Sequence, residues 1–310
     1  MADFHKATKT QSYLRMALVG PSGSGKTFSS LRMAEGLCNH DPHDKERRWI
    51  AVIDSERKSA SKYADAFDFD ALELDTSFSV EEYIDGINKA IAGGYDVLII
   101  DSLSHAWNDK GGILEVKDAI AAQIKSENDF SAWRKVNPLQ NRLLDTMLRA
   151  PLHVIVTLRT KTEYLMDRDE KGKTTIHKMG TKPVQREGLE YEFDVVGDLD
   201  QANTLTISKT RCSALIRAII PMPNGDNPGQ ILKQWLTEGT PALISADQGK
   251  ELWGQAKAQG LSVTGLVTLI NETLHTSYSN PRECSVVDLP RVQKALEDFT
   301  PEAESDTEAS

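Results

Sequence analysis

Short apolar runs recur along the chain, each followed by a polar or helix-spaced stretch. Residues 14–19, LRMALV, run into Gly20, and the segment after Lys26, TFSSLRMAEGL, carries its apolar residues at helical spacing. The pattern predicts strand, glycine-rich loop, helix. After the charge-rich connection NHDPHDKERR, residues 49–54, WIAVID, are apolar and β-branched, as in a strand buried on both faces. Residues 80–92 read as a helix, and GGY then punctuates the chain before DVLIID (96–101), a third buried strand. Leucines and Met147 fall at helical spacing in NPLQNRLLDTMLRA (137–150), and HVIVTL (153–158) follows as a fourth strand. Strands alternating with helices predict the α/β class, a mostly parallel sheet flanked by helices, in which ligands bind at the carboxyl ends of the strands.

At residue 159 the pattern changes. RTKTEYLMDRDEKGKTTIHKMGTK (159–182) places the turn DEKG between two polar, alternating arms and predicts a protruding hairpin. FDVVGDLD and NTLTISKTR, within 193–211, read as the last strands of this body. PMPNGDNPG (221–229) marks a surface loop, and a short helix near Trp235 precedes a smaller helical unit. The expected organisation is an N-terminal arm (1–13), a principal domain (14–240), a small helical domain (241–300) and an acidic, disordered tail (301–310).

Composition narrows the class without changing it. With 310 residues, 39% hydrophobic and 26% charged, the chain can bury a large core, and no apolar run approaches the roughly 20 residues needed to cross a bilayer. No membrane association is expected, and the polar N-terminus, lacking an apolar signal core, points to the cytoplasm. Cys38, Cys212 and Cys284 show no zinc or disulfide spacing, which fits a reducing compartment. A net charge of −10 speaks against coating duplex DNA over the whole surface and leaves room for a local basic element.

The chemistry begins at residues 20–27, GPSGSGKT, a GxxxxGK[ST] loop between a strand and a helix. In that setting backbone N–H groups and a helix N-terminus converge on phosphate oxygens. Gly20, Pro21, Ser22, Gly23, Ser24, Gly25, Lys26, Thr27 and Phe28 are therefore the candidate nucleotide-binding residues, with ATP and Mg²⁺ as the expected cofactors. Lys26 would reach the β- and γ-phosphates and Thr27 would ligate the metal. Asp101, at the end of DVLIID, is the expected second metal carboxylate, the Walker B residue, if its strand neighbours the loop strand. Ser102 and His105 follow it, as γ-phosphate sensors or as ordinary loop residues. Glu56, two residues past a strand end, is a candidate to orient or deprotonate the attacking water; a solvated glutamate is the alternative. In LTISKTR, Lys209 and Arg211 share a strand face with Leu205 and Ile207, so the two cations need partners or solvent. Residues 159–186 are net basic: Arg159, Lys161, Arg168, Lys171, Lys173, Lys178, Lys182 and Arg186 face only Glu163, Asp167, Asp169 and Glu170.

The order of phosphate loop, then a strand closing in Asp-x-Glu, then DVLIID resembles RecA-family ATPases, and that resemblance implies that Glu56 is the catalytic base. The Lys-x-Arg of SKTR resembles the pair of DnaB-type and KaiC-type RecA-fold ATPases, which implies that Lys209 and Arg211 act catalytically at a neighbouring subunit's γ-phosphate. A surface pair facing solvent is the alternative. Over residues 14–216, the segments GPSGSGKT, VIDSE, DVLIIDSLSHAW, TLRTKTEY, QREGLEYEFDVV and SKTRC resemble phage and prophage RecA-fold ATPases of the AAA family, including the Sak-type annealing and recombination group. The resemblance implies a RecA-like P-loop NTPase fold, a homo-oligomer (ring or filament), single-stranded DNA as partner, and phage recombination or replication proteins as further partners. It also makes Arg159, Lys161, Lys171, Lys173 and Lys178 the candidate DNA contacts, against a merely solvated hairpin, with Tyr164 or His177 available to stack on a base. A nucleotide-switched assembly protein binding a protein partner through its C-terminal helices is the rival function.

Overall fold

The computed structural model describes residues 6–38, 49–124, 129–168, 174–222, 224–286 and 288–299; the acidic tail and the turn DEKG lie outside them. Two compact units are distinguished, Tyr13–Leu236 and one drawn from Met1–Ser12 with Thr237–Ser310.

The larger unit opens with β1 (Arg15–Gly20), α1 (Lys26–Leu37), β2 (Ile50–Asp54), β3 (Asp70–Glu73), α2 (Val80–Ala92) and β4 (Val97–Asp101). Three helices follow, α3 (His105–Asn108), α4 (Ile113–Ile124) and α5 (Asp129–Arg149). Then come β5 (His153–Arg168), β6 (Thr174–Pro183), β7 (Val195–Leu199), β8 (Thr204–Thr210), β9 (Ile219–Pro221) and α6 (Pro228–Thr237). The sheet order is β3-β2-β4-β5-β1-β7-β8-β9, with β6 paired to β5. Strands β3 to β7 along this path run parallel, and β8, β9 and β6 join antiparallel. This is the α/β fold of a P-loop NTPase, a mostly parallel mixed sheet flanked by helices.

Burial on both faces explains the near-continuous apolar strands. Met16 and Leu18 of β1 pack with α1 and α6, while Ala17 and Val19 point to the layer of α2 and α5. Helix α2 begins where Ser79 and Glu82 form a reciprocal capping box, and buries Val80, Tyr83, Ile87 and Ala90 on one stripe.

Helix α5 and the strand order both depart from the sequence pattern. Helix α5 starts at Asp129, eight residues before the periodic segment from Asn137, and runs through Pro138. An interior proline costs roughly 3 kcal/mol. Burial of Val136, Leu143 and Met147 on one face, at roughly 1.5–3 kcal/mol each, outweighs that cost. The second departure concerns the sheet. The strand of Asp101 does not adjoin the phosphate-loop strand, because β5 pairs with both and lies between them. Strand β3 was illegible for a simpler reason: DALE is a short, exposed edge with no apolar run.

The smaller unit contains α7 (Ala246–Ala258), α8 (Val263–Leu274) and α9 (Leu289–Glu297), which enclose Leu252, Leu266, Ile270, Val292 and Leu296. Ser245 and Ser262 cap its first two helices. Residues near the start of the chain join it: Thr10 bridges Thr240, and Lys9 pairs with Glu238 at 2.5 Å. Cys38, Cys212 and Cys284 are buried free thiols, and burial with the nearby Asp288 pushes Cys284 up to about 12.

Arg15 fastens the start of β1. Its guanidinium donates to the carbonyls of Leu14, Leu148, Ala150 and Leu152, gathering the carboxyl end of α5, where a cation also suits the helix dipole. Burial lowers its pKa to about 10, with Asp194 opposing the shift. Arg15→Met should therefore destabilise this unit by about 3 kcal/mol, since it leaves buried carbonyls without donors. Urea unfolding measures the difference, and a loss below about 1 kcal/mol would count against this role.

Candidate active site

The phosphate loop leaves β1 at Gly20 and enters α1 through Gly25. Gly23 and Gly25 have φ of +81° and +79°, a left-handed conformation that a side chain would strain. A Cβ on Gly20 would sit 2.5 Å from Ser24 Oγ and 2.6 Å from the Leu199 carbonyl, so close packing of the loop also demands glycine there. No side chain caps α1, which leaves its first-turn N–H groups free to meet an anion. Lys26 Nζ donates to the Gly20 and Pro21 carbonyls at 2.9 and 2.8 Å, and burial lowers its pKa while Asp101 and Glu56 oppose the shift.

Asp101, 1% exposed, ends β4. Thr27 donates to its Oδ2 at 2.6 Å and Thr157, on β5, donates to its Oδ1. Burial raises the Asp101 pKa, and the two hydroxyl bonds only partly oppose it. A buried carboxylate beside a threonine hydroxyl is a hard-oxygen pair suited to Mg²⁺. Among the described residues no cluster of three or more His, Cys, Asp or Glu could hold a metal by itself. The donor set thus fits an ion completed by phosphate oxygens and water, the usual habit of Mg²⁺.

Glu56 is presented by a tight loop after β2. Buried Asp54 accepts from the amides of Glu56 (2.7 Å) and Ala60 (2.8 Å), and holds Arg57 and Lys58 at φ of 56° and 62° between them. Arg159 binds Glu56 through both guanidinium edges, Nε to Oε1 at 2.7 Å and Nη2 to Oε2. Burial alone would raise the Glu56 pKa, but the Arg159 hydrogen bonds and charge, with His105 and Lys26, hold it below the usual glutamate value. Arg159 is raised in turn, chiefly by its bond to Glu56. The carboxylate is therefore ionised, with both oxygens engaged by Arg159.

Ser22, Gly23, Gly25, Lys26, Thr27, Glu56, Asp101 and Arg159, with Ser59, Tyr63 and Thr160, line one cleft of about 430 Å³. A depression of about 540 Å³ beside α5, at Ile91, Arg142 and Arg149, is larger but contains none of these groups. Phe28 stands edge-on to Phe67 and Tyr63, packed against the core beside the cleft. Ser24 is buried, its hydroxyl donating to the Pro21 carbonyl at 2.9 Å.

Other sequence candidates lie elsewhere. Lys209 donates to the carbonyls of Glu190, Tyr191 and Phe193, and Arg211 pairs with Asp194 at 2.6 Å. The Arg211 amide bonds to Asp194, whose own amide bonds to Arg15, the first residue of β1. Both cations thus occupy the end of the sheet opposite the phosphate loop. Lys161 is exposed on β5, opposite Lys182 of β6, and Lys178 lies opposite Tyr164 in the same ladder. Lys171 and Lys173 lie outside the described residues. Arg186 donates to Gln140 at 3.3 Å. Arg159, grouped by sequence with the hairpin, lines the cleft instead. Thr157, Ser59, Tyr63 and Asn203, which reaches the Gly23 carbonyl at 3.4 Å, had no sequence signal beyond being polar near strand ends or turns.

Fold and cleft together define a P-loop nucleotide-binding protein. The chain belongs to the AAA domain family, which matches residues 12–216, and it is an AAA-like P-loop ATPase. No curated protein matches it in sequence. Replacing Thr157 by Val should leave the fold intact and weaken Mg²⁺-dependent nucleotide binding about tenfold, the worth of one hydrogen bond to a charged group. Titration with a fluorescent ATP analogue, with and without Mg²⁺, measures it; equal affinities in the presence of Mg²⁺ would refute the role given to Thr157.

Proposed function

We propose that this protein hydrolyses ATP with Mg²⁺ and couples hydrolysis to single-stranded DNA, as a RecA-like oligomer in phage or prophage recombination or replication. In this reading Glu56 takes the proton of the attacking water. Lys26 and the loop amides hold the β- and γ-phosphates, and Thr27 and Asp101 would hold a Mg²⁺ ion that would supply neutralising charge to the phosphates. Arg159 leaves Glu56 for the γ-phosphate when nucleotide enters, which frees the carboxylate to meet water. Lys209 and Arg211, being remote from their own cleft, serve the cleft of a neighbouring copy.

The observation that carries the DNA part is the continuity of β5. Thr157 holds Asp101 and Arg159 holds Glu56, and the same strand then runs on to Arg168 as one arm of the basic hairpin with β6. A shift of Arg159 with nucleotide state would be transmitted along that strand to the hairpin, and a basic hairpin in a chain of net charge −10 suits a nucleic-acid backbone better than an acidic surface.

ATP turnover and fluorescence anisotropy with labelled single strands test this, across a salt series. Replacing Lys171, Lys173 and Lys178 together by Ala should abolish DNA stimulation and keep basal turnover, while Arg159→Ala should uncouple the two and still bind ATP. No stimulation and no salt-dependent binding by the parent protein would sink the DNA proposal and favour a nucleotide-switched assembly protein. For the trans arrangement, Arg211→Ala mixed with Lys26→Ala should recover turnover that neither shows alone.

A further inference from the structure

Glu56 is approached from two sides. Arg159 stands on the cleft side. Behind it, outside the cleft lining, is His105, 4% exposed, with Nε2 3.9 Å from Glu56 Oε1. The imidazole is fixed at its other nitrogen, Nδ1, which lies 2.7 Å from the Ser55 hydroxyl, and the Phe78 ring packs against it with centroids 5.1 Å apart. Ser55 Oγ accepts from the Ser102 amide at 2.8 Å and donates to the Ser102 carbonyl at 3.1 Å. We assign the hydroxyl proton to that carbonyl, which also accepts from Tyr83 at 3.0 Å, so that in this tautomer the hydroxyl receives the ring proton from Nδ1. Nε2 is then a bare lone pair facing a carboxylate. Two acceptors keep apart, and 3.9 Å is too long for a hydrogen bond.

We propose that His105 is the proton-holding residue behind Glu56: the proton that Glu56 removes from the attacking water passes to His105 Nε2, with Ser55 fixing the ring. This rests on the reading of Glu56 as the base. As the water oxygen bonds to the γ-phosphorus and the bond to the departing ADP oxygen breaks, one water O–H bond breaks and its proton binds Glu56. Protonated Glu56 now has a donor to offer. Closing from 3.9 Å to about 2.8 Å lets Nε2 take that proton, which leaves an imidazolium beside a restored carboxylate. The imidazolium returns its proton to departing phosphate or to solvent.

The charged groups facing the imidazole make this workable. Burial and the Arg159 charge hold its pKa below the ordinary histidine value, while Glu56 and Asp109 favour the cation. His105 is therefore neutral, ready to accept, at neutral pH. Once a γ-phosphate draws and neutralises Arg159, the largest charge opposing the imidazolium is removed. His105 acts through Glu56 and does not touch substrate, so it is a positioning and proton-holding residue.

The test measures ATP turnover against pH with the full-length protein, alongside affinity for a fluorescent ATP analogue. His105→Gln should lower kcat about 100-fold, the low end of a general acid–base contribution, with KM and analogue affinity changed less than about twofold. Turnover of the parent protein should fall as pH drops through the imidazole pKa, below the usual 6.5. In His105→Gln that acid limb should move lower, toward the carboxylate. Unchanged kcat with an unchanged acid limb overturns the proposal. Glu56→Gln separates the two readings: if it is inactive while His105→Gln is normal, only the His105 proposal fails, and if it hydrolyses ATP normally, both fail. Ser55→Ala guards against misfolding of the histidine variant, because it keeps the imidazole and removes its anchor. A displaced acid limb in Ser55→Ala supports the relay, and an unmoved one overturns it.

Discussion

Asp101 is a carboxylate almost without access to water, held among the described residues by the hydroxyls of Thr27 and Thr157. Burial pushes its pKa up, so the site keeps a latent demand for positive charge. The two hydroxyls come from different elements, the first turn of α1 and the strand β5. The single side chain therefore registers the phosphate loop, the Asp101 strand and the strand between them against one another. Lys26 and Glu56 join the same electrostatic balance, since the charge on each shifts the other's ionisation.

Asp54 supplies the other half of the geometry. By taking two amides of its own loop it holds consecutive non-glycine residues at positive φ and turns Glu56 toward Arg159. Such strain survives only where neighbouring bonds over-determine it. Here Ser55 adds a tie to the Ser102 peptide, and Lys58 reaches Glu73 on the edge strand. The loop bearing Glu56 is thus braced from both adjacent strands.

Local chemistry was legible in the sequence, and spatial order was not. GPSGSGKT and the strand ending in Asp101 carry their geometry in consecutive residues, because a glycine-rich turn between strand and helix has few other conformations. Thr157 and Arg159 read as the end of an apolar run and the start of a charged arm. Nothing in them shows that β5 inserts between β1 and β4, and that insertion is what brings them to the cleft. The alternation of LTISKTR placed Lys209 and Arg211 on one face with Leu205 and Ile207, but it showed neither the register shift at Ser208, which interrupts that alternation, nor the direction of β8, whose antiparallel run carries both cations to the other end. Helix α5 was cut short in the sequence because Asn137-Pro138 imitates a helix start, and only tertiary burial of its earlier turns reveals the true one.

A role for Lys209 and Arg211 at another copy's triphosphate would limit how copies of the chain can associate. Along β1, five residues separate the level of Arg211 from Gly20, about 17 Å of extended backbone. A sheet cannot fold its two ends together. If these cations meet a triphosphate, they meet that of another molecule. Such a contact closes on itself when a two-fold axis makes it reciprocal; without one, every molecule keeps an unused face for the next, and growth stops only when the turn per step brings the last copy round to the first.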